Sequence, residues 1–414
     1  MMMLRTVSSI FRRKSLLFAQ IKSLKTKTPP NHVSTSKPLL ERYMRWYIVP
    51  ASFVVTFFLL DQVRTYKLKQ IALQIKNADD IGIYYKAHKF EIFIYQILPL
   101  RLLSRAWGKI NQIKLPKCLQ KPILGFYAWV FDCNLEEAQE PDLKKYKNLQ
   151  EFFCRALKPG LRPVEGDGII NLVSPSDGKV LHFGRVINGK MEQVKGVSYG
   201  IDQFLGPQTW AGGMDDDNTI KSDNFKMDLK NPTKRRYLYQ KTLLHNQDNE
   251  TDLYQCIIYL APGDYHRYHS PSNWKVHFRR HFSGRLYSVS PTFASWFPNL
   301  FLVNERVAYI GEWAHGFFSM VPVGATNVGS MTMYFDPELI TNESRMKLVS
   351  TNKDKIFPLH EGSFEPGEPF GQFNLGSTIV LLFEAPRSFN FTIERGSKVK
   401  YGQEIGTVDI EVKK

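Results

Sequence analysis

The hydrophobic pattern changes period once along this chain, and that change limits the fold more than any other feature. From residue 61 to about 161 the apolar residues fall mainly at helical spacing. Ile71, Leu73 and Ile75 come first, then HKFEIFIYQILPLRLLSRAWGKI (88–110) and KPILGFYAWVFD (121–132). The turn-rich KPGLRPVEGDG (158–168) ends this region. Beyond it the period is two. The short runs IINLVSP, KVLHFGRV, LYQCIIYLAP, ERVAYIGEW, FFSMVPVGATNVGSMTMYF and STIVLLFEAP are separated by Gly, Pro, Asn and Asp. Such runs are too short for helices and suit strands. The pattern predicts an α+β chain: amphipathic helices over 67–165, then a β-rich, sandwich- or barrel-like domain over 166–414. A polar tract over about 212–251 reads as a mobile surface insertion.

Composition rules out other classes. At 43% hydrophobic and 23% charged residues the chain can fill a large core. Cys118, Cys133, Cys154 and Cys256 form no CxxC pair, so a disulfide scaffold does not fit. The net charge of +16 is uneven. Arg5, Arg12, Arg13, Lys14, Lys22, Lys25, Lys27 and Lys37 all precede the first carboxylate, Glu41. An acid-free stretch over 1–40 that can place Leu4, Ile10, Phe11, Leu16, Leu17 and Ile21 opposite its cations has the makeup of a mitochondrial transit peptide. Next, WYIVPASFVVTFFLL (46–60) is uncharged between Arg45 and Asp61. With Trp46 and Tyr47 placed as an interfacial belt and Arg42 and Arg45 flanking one end, residues 41–66 read as a single membrane anchor. In the following helices, cations interleaved with large apolar groups suit either a core-facing helix or one lying on an anionic bilayer. No nucleic-acid motif is visible, so the basic excess points to a membrane.

Three stretches of the β-rich region carry groups capable of chemistry: SPSDGK (174–179), LAPGDYHRYHSP (260–271) and FNLGST (373–378). Asp177 can be read simply as a turn residue. His266 and His269 could bind a metal, but no third ligand has suitable spacing, and acid–base use is favoured. Ser377 lies in no GxSxG elbow, which argues against a hydrolase of that kind.

These stretches, with QVKGVSY (193–199), NERV (304–307), VGATNVGS (323–330) and the full FNLGSTIVLLFEAP, resemble in identity and order those of the phosphatidylserine decarboxylases. The presequence and anchor resemble the mitochondrial form found in animals. The resemblance implies a self-processing lyase that carries a covalent pyruvoyl group and no metal. Ser377 Oγ would attack the Gly376 carbonyl and convert the peptide bond to an ester. Elimination would then free Gly376 as the end of a long β chain and leave dehydroalanine, which tautomerises to an imine; water would hydrolyse that imine, releasing ammonia and leaving a pyruvoyl group at the start of a short α chain, 377–414. That carbonyl supplies what no standard side chain offers, an imine partner and electron sink for an amino-acid substrate. Glycine before the serine leaves the carbonyl open to attack. By the same resemblance His269 is the base for Ser377, with Asp177 orienting its ring, and His266 is the candidate acid that protonates the product or positions the substrate. The implied substrate is phosphatidylserine in an anionic membrane and the product phosphatidylethanolamine. The two chains should stay associated, with room for a higher oligomer. The implied location is the mitochondrial inner membrane, single-pass, with the catalytic domain in the intermembrane space.

Two other readings compete. The segment ERGSKVKYGQEIGTVDIEV (394–412) resembles lipoyl-like carrier modules, which would make the domain a non-catalytic binding module. A pyruvoyl enzyme acting on a small soluble amino acid is the other, although it leaves the anchor unused.

Overall fold

The computed structural model describes residues 100–409 apart from 195, 211–230, 246–249, 327–329, 344–352, 359–360 and 375. The expected transit peptide (1–40), the anchor (41–66) and residues 67–99 lie outside the described residues. Among the described residues no helix is long and apolar enough to cross a membrane.

The helical region contributes α1 (Leu100–Asn111), α2 (Lys117–Val130) and, after a 3-10 turn at Leu143–Lys145, α3 (Leu149–Phe153). Asn148 caps α3, its side chain accepting from the Glu151 N–H at 2.8 Å. One face of α2 turns Gln120, Leu124 and Ala128 inward at four-residue spacing, and Leu124 and Ala128 join Tyr146 and Phe152 in a small core of their own. The opposite face leaves Leu119, Ile123, Phe126 and Trp129 exposed, Trp129 by 78%.

After residue 168 come β1 (Asn171–Val173), β2 (Gly178–Arg185), β3 (Lys190–Val194) and β4 (Val197–Gly200), then α4 (Ile201–Leu205) and α5 (Pro232–Leu243). Next are β5 (Thr251–Leu260), β6 (Arg267–His269), β7 (Trp274–Phe282), α6 (Pro291–Trp296) and α7 (Leu300–Val303). The chain continues through β8 (Arg306–Trp313), β9 (Gly316–Gly324), β10 (Met331–Met333), β11 (Lys353–Ile356), β12 (Ser363–Phe364) and β13 (Pro369–Phe373). It ends with β14 (Ser377–Pro386), β15 (Phe389–Phe391), β16 (Lys398–Val399) and β17 (Glu404–Val408). A nine-stranded antiparallel sheet dominates, ordered β11-β7-β8-β9-β14-β5-β2-β16 with β12 also on β7. Two three-stranded sheets, β1-β17-β15 and β10-β13-β6, and the β3–β4 hairpin complete it. The fold is thus α+β and sheet-dominated, and each of the six runs of period two contains a strand. The central β14 is buried from Ser377 to Ala385, which explains its apolar run over 379–383. Its one carboxylate, Glu384, is fully buried and accepts from Thr251 Oγ1 (2.6 Å), the His245 N–H (2.9 Å) and the Phe317 N–H (3.1 Å).

Two expectations need revision. The polar tract over 212–251 is not insertion throughout: residues 232–243 form α5, capped by Asn231 and begun by Pro232. The Tyr239 hydroxyl donates to the Gly206 carbonyl, Gln240 donates to the Val186 carbonyl, and Leu243 is buried. A helix that anchors itself by so few groups has almost no hydrophobic periodicity to betray it. Nor is the segment from 394 a separate carrier module. There β16 pairs with β2, and β17 lies between β1 and β15.

Candidate active site

Ser377 opens β14 opposite Leu260 of β5 on one side and Gly324 of β9 on the other. One residue further in, Thr378 aligns with Tyr259 and Val323, and Tyr259 aligns with Lys179 of β2. The register therefore brings the ends of β2, β5, β14 and β9 to a single edge of the sheet. From that edge extend the loops holding SPSDGK, LAPGDYHRYHSP, FNLGST and VGATNVGS. NERV joins them: Asn304 Nδ2 donates to the Gly324 carbonyl at 2.9 Å, and the Gly324 N–H donates to the Glu305 carbonyl at 2.8 Å. QVKGVSY instead forms the β3–β4 hairpin, where Gln193 donates to the Ala294 and Phe297 carbonyls.

The two histidines run beside β13, the strand that leads into the Gly-Ser segment. The Phe373 N–H donates to the His266 carbonyl at 2.9 Å, and Arg267 pairs with Gln372. His269 is held on every side. Its Nδ1–H donates to the Gly367 carbonyl at 2.9 Å, Nε2 accepts from the Tyr265 hydroxyl at 3.0 Å, and the ring stacks on Tyr401 with centroids 4.0 Å apart. Burial pushes its pKa down to about 4. His266 is fully buried against Phe153, its Nδ1–H donating to the Asp264 carbonyl at 2.8 Å, and burial pushes its pKa down to about 3. Both rings are neutral at physiological pH, with the basic lone pair on Nε2.

Asp177 accepts from the Tyr401 N–H (2.9 Å), Arg162 Nη2 (3.2 Å) and Lys400 Nζ (3.3 Å). The ring of His269 is oriented by Gly367 and Tyr401 rather than by a hydrogen bond to Asp177. The carboxylate acts on the imidazole as a nearby negative charge that favours its protonated form. Ser377 Oγ, Thr378 Oγ1, Ser176 Oγ and His266 Nε2 are buried without a protein partner among the described residues. Buried polar atoms are rarely left so, and their concentration at this edge marks a place built for more than packing. A Cβ built at Gly376 would meet no atom within 4 Å, and Gly376 has no positive φ. The structure thus leaves open space beside Gly376. The surroundings fit a group made from Ser377: its side chain is enclosed, and its backbone is paired on both sides. Among the described residues no three metal-ligating side chains converge.

Several groups here escape the sequence reading. Tyr265, Gly367 and Tyr401 frame His269, and Arg162 reaches Asp177 from the turn-rich boundary segment. Tyr265 stands within the motif already singled out. Tyr401 comes from the carrier-like segment, and only the pairing of β16 with β2 brings it in.

Comparison with known proteins agrees with this geometry. The family model described as phosphatidylserine decarboxylase matches residues 149–407. The phosphatidylserine decarboxylase proenzyme, mitochondrial, of Cricetulus griseus is 45% identical over 352 residues, covering 84% of this chain and 80% of that protein. That of Pongo abelii is 47% identical over 326 residues, covering 78% and 75%. The phosphatidylserine decarboxylase proenzyme 1, mitochondrial, of Saccharomyces cerevisiae is 40% identical over 373 residues, covering 76% and 74%. With the strand ends, the two neutral histidines and Gly376-Ser377 gathered at one edge, and with matches of this extent, the chain belongs to the phosphatidylserine decarboxylase family.

Proposed function

We propose that this protein decarboxylates phosphatidylserine to phosphatidylethanolamine and prepares its own catalytic group by cutting itself between Gly376 and Ser377. The observation that carries the reading is the position of Ser377: first residue of a central strand, side chain enclosed, hydroxyl unpartnered, at the edge where His266, His269 and Asp177 gather.

In self-cleavage Ser377 Oγ adds to the Gly376 carbonyl carbon, and the peptide nitrogen leaves with a proton. His269 supplies the base. Its Nδ1–H is fixed on Gly367, so the lone pair sits on Nε2, and Nε2 takes the serine proton once the Tyr265 hydroxyl yields its place. Asp177, through its nearby charge, stabilises the imidazolium that results. After processing, a pyruvoyl carbonyl at position 377 supplies the electrophile for the substrate amine and the sink for the electrons released with carbon dioxide. His266 faces this step as a neutral imidazole in an apolar wall, so it must take up a proton before it can deliver one to the product carbon.

The location follows the relatives, whose names read mitochondrial. Residues 1–40 serve as the transit peptide and 41–66 as a single anchor in the inner membrane, with the catalytic domain in the intermembrane space. On α2, Leu119, Ile123, Phe126 and Trp129 form an exposed apolar face, and the exposed Lys117 and Lys121 stand on the same helix away from that stripe. That combination of apolar stripe and cations suits an anionic bilayer, from which the substrate is drawn.

The test is a denaturing gel with intact-mass measurement. The 38 residues from Ser377 to Lys414 should appear as a fragment of about 4 kDa at roughly 110 Da per residue, with a blocked, pyruvoyl-type amino end. Ser377→Ala should remain one chain. An active preparation consisting of a single intact band would overturn the mechanism.

A further inference from the structure

Among the described residues four arginines are buried, and three have their charge or donors met. Arg279 pairs with Asp336 and Arg280 with Asp354, while Arg306 donates to the carbonyls of Gln203, Phe204 and Leu302. The fourth, Arg155, differs. Its side chain lies over the Phe152 ring, and only Nη2 finds a partner, the Gly263 carbonyl at 2.8 Å. Nε and Nη1 are buried without a partner, and no carboxylate pairs with it among the described residues. An unpaired cation out of water is costly, so such a group signals an anion that completes it.

Arg155 also lines a cavity of about 440 Å³ together with Gln139, Tyr146, Cys154 and Arg267. Arg267 brings a second guanidinium, tied through Nε to the Cys154 carbonyl at 2.9 Å. Two carboxylates also face this cavity and are already engaged: Glu140 with Lys145 Nζ at 2.6 Å, and Glu151 with the Lys147 N–H at 2.6 Å.

The position of the cavity identifies the anion. On one side stands α2, whose Tyr127 hydroxyl donates to the Pro262 carbonyl at 3.0 Å. The helix end comes so close that a Cβ on Gly263 would fall 1.9 Å from the Phe131 carbonyl oxygen. On the other side Cys154 Sγ reaches the Phe373 carbonyl at 3.4 Å, three residues before Gly376. From the exposed apolar face of α2 inward, the order is therefore apolar stripe, buried guanidinium, reacting segment. A phospholipid with a serine headgroup has the matching order of acyl chains, phosphodiester, amino acid.

We infer that Arg155, with Arg267, forms the subsite for the phosphodiester of the substrate, leaving the serine amine and carboxylate to the edge at Ser377. The inference rests on the decarboxylase reading. A charge-assisted fork of this kind fixes an anion bidentately, and its loss should cost at least about tenfold in binding.

The experiment uses the full-length, detergent-solubilised enzyme. Decarboxylation of a short-chain phosphatidylserine is followed in the wild type, Arg155→Gln, Arg155→Lys and Arg267→Gln, with the self-cleavage fragment on a gel as the check of folding. KM should rise about tenfold or more in Arg155→Gln and by less in Arg155→Lys and Arg267→Gln, with kcat changing far less than KM. Glycerophosphoethanolamine, which has the phosphodiester but no carboxylate, should inhibit the wild type and lose potency in the variants, whereas L-serine should not compete. The subsite is refuted if glycerophosphoethanolamine inhibits wild type and variants alike, or if L-serine competes and glycerophosphoethanolamine does not, which would assign Arg155 to the carboxylate. If Arg155→Gln fails to fold, Arg267→Gln, on a residue only partly buried, decides the matter by the same two readouts. A wild-type enzyme that cuts itself but leaves phosphatidylserine intact would instead remove the decarboxylase reading, so the two failures are distinguishable.

Discussion

Acidification should weaken this fold by an amount traceable to two histidines. In the unfolded chain an imidazole titrates near 6.5, whereas burial holds His269 near 4 and His266 near 3. Between those values the unfolded state binds more protons than the folded one, so stability rises with pH across the window and falls on acidification. From pH 7 to pH 5 the unfolded form of each histidine takes up most of a proton that its folded form refuses. The integrated difference is about 1.8 kcal/mol per residue, or about 4 kcal/mol for the pair. His182, also buried, is pushed down to about 4 by the same cause and adds to the loss in every variant alike. The measurement is denaturant unfolding at the two pH values in a Ser377→Ala background, which keeps one continuous chain, with His269→Gln or His266→Gln added. Each substitution also removes a hydrogen bond, but that loss is nearly the same at both pH values and cancels in the comparison. Each added variant should therefore lose about 1.8 kcal/mol less between pH 7 and pH 5 than its parent. An unchanged loss in His269→Gln would mean that this imidazole is not held neutral, and its assignment as a ready base would fall with it.

Other consequences follow from the same geometry. Gly376→Ala should fold like the wild type, since a methyl there meets no neighbour, yet cleave at least about tenfold more slowly because it crowds the attacked carbonyl; matched melting temperatures with unequal cleavage in a pulse-chase would bear this out. Tyr265→Phe, which frees His269 Nε2, should accelerate self-cleavage, and a slower rate would mean that the hydroxyl relays the proton. Phe126→Ser with Trp129→Ser should leave melting unaltered and reduce co-sedimentation with vesicles containing anionic lipid, the two exposed rings together supplying roughly 3 kcal/mol of membrane burial. Undiminished sedimentation would remove the α2 face from membrane contact.

What the sequence discloses and what it hides divide along a physical line. Strands β2, β5, β8, β9 and β14 were legible because buried strands concentrate β-branched and aromatic residues between turn signals. Ser377 and both histidines are legible as candidates because short loops carry them in recognisable strings. Helix α5 was hidden because it docks by Tyr239, Gln240 and Leu243 and is otherwise polar. Tyr401 and Gly367 were hidden for another reason. Their part in the site is set by the strand pairings that surround His269, between segments about 100 residues or more apart in the chain, and no local pattern encodes that. Arg155 was hidden too, since its significance lies in lacking a carboxylate partner, which only the packed structure reveals.

If the chain cuts itself before Ser377 as proposed, the position of that residue at the start of β14 explains how the protein could break its backbone and keep its shape. Cleavage before Ser377 severs the chain at the mouth of a strand whose next nine residues remain paired with β5 and whose first seven pair with β9. Ile379, Val380, Leu381, Leu382 and Phe383 are fully buried on that strand, and at roughly 1.5–3 kcal/mol each they hold the short chain by an amount comparable to the stability of a whole domain. A cut a few residues further in would have to attack a carbonyl already committed to the ladder. A cut earlier, in the loop, would leave the new group without two flanking strands to aim it. Position 377 is the first at which the chain is both reachable by a nucleophile and fixed by the sheet. Self-processing there should therefore cost little stability, and a cut enzyme that melts far below its Ser377→Ala counterpart would show that the sheet does not carry the load assigned to it.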